Sequence, residues 1–193
     1  MSFNRVWARF LRRSRTLAPT PGVREAWHQG RRWFHVSALL LDAPTLAERI
    51  AQTRSRLDPH LEVFSAHSPH VTCFVHGFAD PTSVPELPNE GEEVELVIGG
   101  ANAFASCVFL EVRSSRLHAL RAAFTGEEHR SAAYRPHVTV GLFRAAVPTR
   151  EVAATLRSLR SLPPIRAKGR LHTCFLDARV GGGHLHRREE IHW

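Results

Sequence analysis

The chain has 193 residues, 43% of them hydrophobic and 23% charged, and a formal net charge of +8. This is an ordinary globular composition, with enough apolar material for one domain or two intimately packed lobes. No apolar run approaches the roughly 20 residues of a membrane span; the longest, VSALLL, is strand-sized.

The charge is unevenly placed. Residues 1–32 carry eight arginines against one acid, Glu25, while the rest carries 18 basic side chains against 17 acidic ones. Net charge therefore gives no reason to expect general polyanion binding by the body. Phe3, Val6, Trp7, Phe10 and Leu11 recur at helical spacing with Arg5, Arg9, Arg12 and Arg13 between them, which predicts a short basic amphipathic helix before APTPG. Such a helix serves as an RNA-touching or membrane-surface arm or a targeting peptide, or docks its apolar face on the body. The expected division is an N-terminal extension over 1–32 and a domain over 33–193. A signal-peptide core is lacking, and Cys73, Cys107 and Cys174 each sit in an apolar run. The reading is of buried free thiols in a cytoplasmic monomer.

WFHVSALLLD (33–42) reads as a strand, and PTLAERIAQTRSRL (44–57) as a helix opened by Pro44. LEVFS and HVTCFVHGF follow as strands, then a Pro-rich loop over 80–91. EEVELVIGG and SCVFLEV read as strands, SRLHALRAAF as a helix, HVTVGLF as a strand and TREVAATLRSLR as a helix. RLHTCFLDAR and HLHRREEIHW close the chain as a strand pair around Gly181–Gly183. Strands that follow one another without a helix call for antiparallel sheets with helices on their outer faces. The fold class is α+β.

Pro-His-Val-Thr occurs twice, at 69–72 and 136–139, each time at the head of a strand. Strict alternation puts His70, Thr72 and Phe74 on one face, and His137, Thr139, Gly141 and Phe143 on one face. Val71, Cys73 and Val75, and Val138, Val140 and Leu142, then face the core. A cleft between two pseudo-symmetric lobes would gather both histidines and both threonines, with the imidazoles roughly 5–8 Å apart. One neutral imidazole can take a proton from water or a ribose hydroxyl, and one protonated imidazole can give a proton to the leaving oxygen. The Thr hydroxyls can donate to phosphate oxygens that gain charge. No metal, cofactor or covalent nucleophile is required. HExxH and CxxC spacings are absent, IGGANA and VGGGH lack P-loop chemistry, and His184, His186 and His192 belong to a solvated tail.

The strands HVTCFVHGF and HVTVGLF resemble the paired signatures of the 2H phosphoesterase superfamily, which includes 2′-5′ RNA ligase / RNA 2′,3′-cyclic phosphodiesterase proteins. The likeness extends over roughly 33–193. It implies a two-lobed, pseudo-duplicated antiparallel fold around a central cleft, and metal-independent 2′,3′-cyclic or 2′-5′ phosphodiester chemistry on RNA ends or small nucleotides. By position, His70 and His137 match the catalytic histidines, and Thr72 and Thr139 the phosphate-contacting hydroxyls. Many relatives carry Arg five residues after the second histidine, where this chain has Leu142, so Arg135 or Arg144 is expected to reach the phosphate instead. Tyr134 is placed to stack on a base, with Phe74 beside the first motif. His76 reads as a residue of the cleft margin, and His67 lies near it. A non-catalytic nucleotide-binding module of the same fold is the alternative; two proton-transfer groups favour the enzyme.

Overall fold

A computed structural model describes residues 2–18, 23–62, 68–87, 89–124, 134–180 and 184–191. Five helices and eight strands follow in chain order: α1 (Phe3–Leu11), α2 (Val23–His28), β1 (Trp33–Leu41), α3 (Pro44–Leu57), β2 (Leu61–Glu62), β3 (His70–Phe78), β4 (Glu93–Ala103), β5 (Cys107–Arg113), α4 (Ser115–Ala123), β6 (His137–Phe143), α5 (Thr149–Arg160), β7 (Ile165–Asp177) and β8 (Leu185–Arg187). The class is α+β. The rest of the expected LEVFS strand, the Gly181–Gly183 turn, His67 and His192 lie outside the described residues.

All eight strands belong to one antiparallel sheet. Its order is β1-β3-β6-β5-β4-β7-β8; β1 also pairs with β7, and β2 adds to β6. The β1–β7 ladder closes six strands into a barrel. The closure is uneven. Trp33–Leu41 pair with β7 at nine positions, whereas β3 and β6 are joined by the single pair Val71↔Val138. β7 has two main partners: Ile165–Arg170 pair with β4, and Gly169–Asp177 pair with β1. Gly169 stands where the strand changes partner, and a Cβ there would come within 2.6 Å of Leu41 Cδ2 and 2.9 Å of Leu39 Cβ. Glycine leaves room there for the Leu39 and Leu41 side chains.

The main core is built from the apolar faces of the helices and one face of the sheet. Leu46, Ile50 and Leu57 of α3, Leu117 and Leu120 of α4, and Val152, Leu156 and Leu159 of α5 meet Leu39, Val71, Leu96, Leu110, Val138 and Leu171. The α1 helix belongs to this packing too. Phe10 is 2% exposed and its ring stacks on Phe143 at 6.3 Å, while Val6 joins Cys107 and Phe109. α1 thus docks its apolar stripe and leaves Arg5, Arg9, Arg12 and Arg13 outside. Trp27 of α2 closes a second cluster against Phe34 and Phe78.

β-bulges in both motif strands alter the alternation. β1 pairs Ala38 with Thr72 but Ser37 with Phe74, so Cys73 is the extra residue. β5 pairs Phe109 with Thr139 but Val108 with Gly141, so Val140 is extra. Phe143 therefore faces the core rather than sharing the face of His137, and Leu142 moves to the face of Phe109 and Cys107. The expected facing of these two residues is corrected by one inserted position.

His35 is a buried polar exception, 5% exposed and stacked between His76 at 4.0 Å and Phe175 at 5.1 Å. Its Nε2 has no hydrogen-bond partner among the described residues. Burial, then the charges of His76 and Arg188, push its pKa from 6.5 to about 3. The folded-state value lies below the unfolded one, so the contribution to stability is full above pH 6.5 and is lost as pH falls toward 3. His35→Phe, which keeps the stack, is expected to lose about 2 kcal/mol less than the parent between pH 6.5 and 5. Urea midpoints of the two proteins across that range measure the difference; parallel pH profiles would refute it.

Candidate active site

Each Pro-His-Val-Thr segment starts a strand for the same local reasons. Proline has no amide hydrogen to lose at a strand's first position, and the following Val, Thr and aromatic residues favour extended backbone. The two segments also make matching bonds. Leu41 N–H donates to the Pro69 carbonyl at 2.9 Å, and Val112 N–H donates to the Pro136 carbonyl at 3.2 Å. One residue on, His70 Nδ1 donates to the Ser68 carbonyl at 2.9 Å and His137 Nδ1 to the Arg135 carbonyl at 2.7 Å. A carbonyl only accepts, so Nδ1 carries the proton in both rings and Nε2 is left for other chemistry.

The Val71↔Val138 pair joins the two strands that carry these rings. Both valines are fully buried in the core, so their sequence neighbours His70, Thr72, His137 and Thr139 lie on the opposite face. All four are half-buried. His70 and His137 stand diagonally across an antiparallel junction, where backbone positions are about 7–8 Å apart. Burial lowers the pKa of His70, and its bond to Ser68 opposes the shift in part. Phe104 and Phe109 present their edges and faces to the His137 ring at 5.3 and 5.1 Å.

The remaining expected residues are dispersed. The bulge at Cys73 sets Phe74 opposite Ser37, away from the face of His70 and Thr72, and its ring packs among His76, Phe124 and Arg121. Tyr134 packs against the main core, with Arg121 4.5 Å above its ring. Arg135 lines a cavity of about 720 Å³ together with Tyr134, Arg113 and His118. Arg144 is exposed and donates through Nη2 to the Leu61 carbonyl at 3.0 Å, which fastens β2. His76 bonds Ser37 Oγ at 2.7 Å.

Two neighbours of the motif residues carry no sequence signal. Glu111 is the cross-strand partner of His137 and is 7% exposed. Its Oε1 accepts from Asn102 at 2.8 Å and Arg160 at 2.9 Å, and Arg113 lies 3.6 Å from Oε2. His172 shares the face of Thr72 across Ala38, with Nδ1 3.3 Å from Glu90. Only the strand pairing reveals either; a lone Glu in FLEV and a lone His in RLHTC look like ordinary strand residues. Among the described residues, no three His, Cys, Asp or Glu side chains group as metal ligands, and no helix is long and apolar enough to cross a membrane.

The fold is an α+β barrel in which the two His-x-Thr strands meet at one pair. A family-level sequence comparison matches residues 42–178 to the 2′-5′ RNA ligase superfamily. The chain belongs to that superfamily, and so to enzymes of phosphoesterase or ligase type. The match begins after β1 and leaves out α1 and α2. A comparison with curated proteins finds no match.

Proposed function

We propose that the protein is a metal-independent phosphodiesterase that opens 2′,3′-cyclic or 2′-5′ phosphodiesters of RNA ends or small nucleotides by paired-histidine acid–base catalysis. The observation that carries this reading is the junction at Val71↔Val138, where two histidines with identically fixed Nδ1 protons flank two threonines. The thin β3–β6 junction supports placing the substrate there.

His70, whose pKa burial lowers, stays neutral and acts as base through Nε2. It takes a proton from water as the water oxygen bonds to phosphorus. His137 Nε2 gives its proton to the departing ribose oxygen as the P–O bond breaks, leaving a phosphomonoester and a hydroxyl. With a ribose 5′-hydroxyl in place of water as the nucleophile on a cyclic phosphate, the same sequence is ligation. Thr72 and Thr139 donate to the non-bridging oxygens. Arg135 is the nearer of the two candidate phosphate contacts by sequence, since its carbonyl already holds His137.

The test is a panel of 2′,3′-cyclic nucleotides and short 2′-5′ and 3′-5′ RNAs incubated with and without EDTA, with products identified by mass. Expected are phosphomonoesters at unchanged rate in chelator. The rate should be bell-shaped in pH, and its acid limb should lie below the ordinary imidazole value because protonating His70 removes the base. A chelator-sensitive rate would refute the metal-free step. No turnover on any panel member would favour the nucleotide-binding module.

A further inference from the structure

The segment after α1 is laced to the start of α5. Thr16 N–H donates to Val147 O at 2.9 Å, Thr149 N–H to Ser14 O at 3.0 Å, and Arg15 bridges Pro148. Between them lies a cavity of about 780 Å³ lined by Arg13, Arg15, Arg150 and Arg157, with Thr149 and Leu11 also on its wall. No acidic residue is in that lining; the nearest acid in sequence, Glu151, is exposed on the first turn of α5. Arg15 donates to the Ala146 carbonyl, which fixes its guanidinium. Arg13, Arg150 and Arg157 have no ion-pair partner among the described residues.

Two further features point to an anion. The cavity lies at the N-terminus of the twelve-residue α5, the positive end of its dipole. Thr149, 3% exposed, carries a hydroxyl with no hydrogen-bond partner among the described residues. An unsatisfied buried donor beside four guanidinium-bearing side chains is costly unless an acceptor fills the space. The far end of α5 reaches Glu111, the cross-strand partner of His137. α1 and α5 run antiparallel: Asn4 meets Arg160, whose Nη1 holds Glu111 beside His137, and Arg13 reaches the opposite end of α5. About 18 Å of helix separates the two ends. Arg5, Arg9 and Arg12 lie exposed along α1 on the way.

We propose that this cavity is an accessory phosphate site, which takes a backbone phosphate of an RNA chain whose end lies at His70 and His137. The inference rests on the function proposed above and narrows its substrate from cyclic nucleotides in general to RNA chains. A mononucleotide cannot span the distance, whereas a strand of several nucleotides can. Guanidinium groups in a walled cavity suit a single bridging phosphate, which favours RNA over a lipid surface.

The experiment compares the parent with an Arg150→Ala, Arg157→Ala variant and a Thr149→Val variant, each shown folded by circular dichroism. Affinity for a labelled RNA of about ten nucleotides ending in a 2′,3′-cyclic phosphate is read by anisotropy across a salt series. The double variant is expected to bind about tenfold or more weakly, with its salt slope reduced by about 1.4, about 0.7 for each lost single-strand contact. Thr149→Val is expected to weaken binding severalfold. Turnover of a 2′,3′-cyclic mononucleotide should be unchanged in both. RNA affinity equal to the parent's in both variants overturns the proposal. So does a loss confined to phosphatidylserine–phosphatidylcholine vesicles, which would assign the arginines to a membrane. Because anisotropy reads binding alone, a parent without turnover refutes the catalytic reading while the affinity comparison still decides this one.

Discussion

Alanine at His70 or at His137 is expected to lower turnover of a 2′,3′-cyclic substrate by about 10²-fold or more, and to leave ligand binding within about tenfold. The reason is where each ring acts. Nδ1 is committed to the Ser68 or Arg135 carbonyl, so only Nε2 can exchange a proton with substrate. That exchange matters in the transition state and little in the bound ground state. Thr72→Ala and Thr139→Ala should each cost less, because one hydroxyl is one donor among several around the phosphate. Glutamine at either histidine would preserve shape and polarity without the proton and should be about as slow as alanine. Single-turnover rates and equilibrium binding of a non-hydrolysable analogue separate the two effects. Parent-like turnover in the His70→Ala, His137→Ala double variant would place the chemistry elsewhere in the molecule.

Phe10→Ala is expected to destabilise the fold by about 3–5 kcal/mol, the range for emptying a buried aromatic site. Phe10 is 2% exposed, packs within the main core, and stacks on both Trp7 and Phe143. Around it, Asn102 donates to the Phe3 carbonyl and Arg160 to Asn4, so α1 is held by polar contacts as well. At about 2–4 °C per kcal/mol for a domain of this size, Tm should fall by roughly 10 °C. Thermal and urea unfolding measure it. Arg9→Ala, on the exposed side of the same helix, is the control and should change little. A Phe10→Ala protein with the parent's Tm would show that α1 is dispensable for folding.

The parts of this fold legible in sequence are those with a local cause. Pro44 and the Leu46–Ile50–Leu57 stripe predict α3 with the bounds observed, and both Pro-His-Val-Thr strands begin at their histidines. That the four motif side chains lie on the face opposite Val71 and Val138 follows from alternation alone, since only one position separates each from the junction. Alternation failed four residues after His70 and five after His137. Phe74 and Leu142 changed face because an extra residue at Cys73 and at Val140 is dictated by the partner strand, and neither position has a telltale glycine or proline. The Glu111–Asn102–Arg160 group was equally invisible, as its members lie on β5, β4 and α5 and meet only through pairing. The basic charge of the N-terminal segment was plain; the amphipathic stripe left its docking as one reading among several, which the packing of Phe10 decides for α1.

The ladder between β1 and β7 has a consequence for how the protein emerges from the ribosome. Trp33 pairs with Asp177 and Leu41 with Gly169, so the first strand lacks one of its two neighbours until nearly the whole chain has been made. The nascent β1, with six consecutive buried positions from Phe34 to Leu39, must wait with an open edge. The barrel cannot be completed vectorially, and so many distant pairings place it among slow folders. At a few to about twenty residues per second, synthesis of the intervening segment lasts several seconds or more. During that interval α3 and the β3 strand are the available cover for β1, and a holding chaperone would find its substrate there.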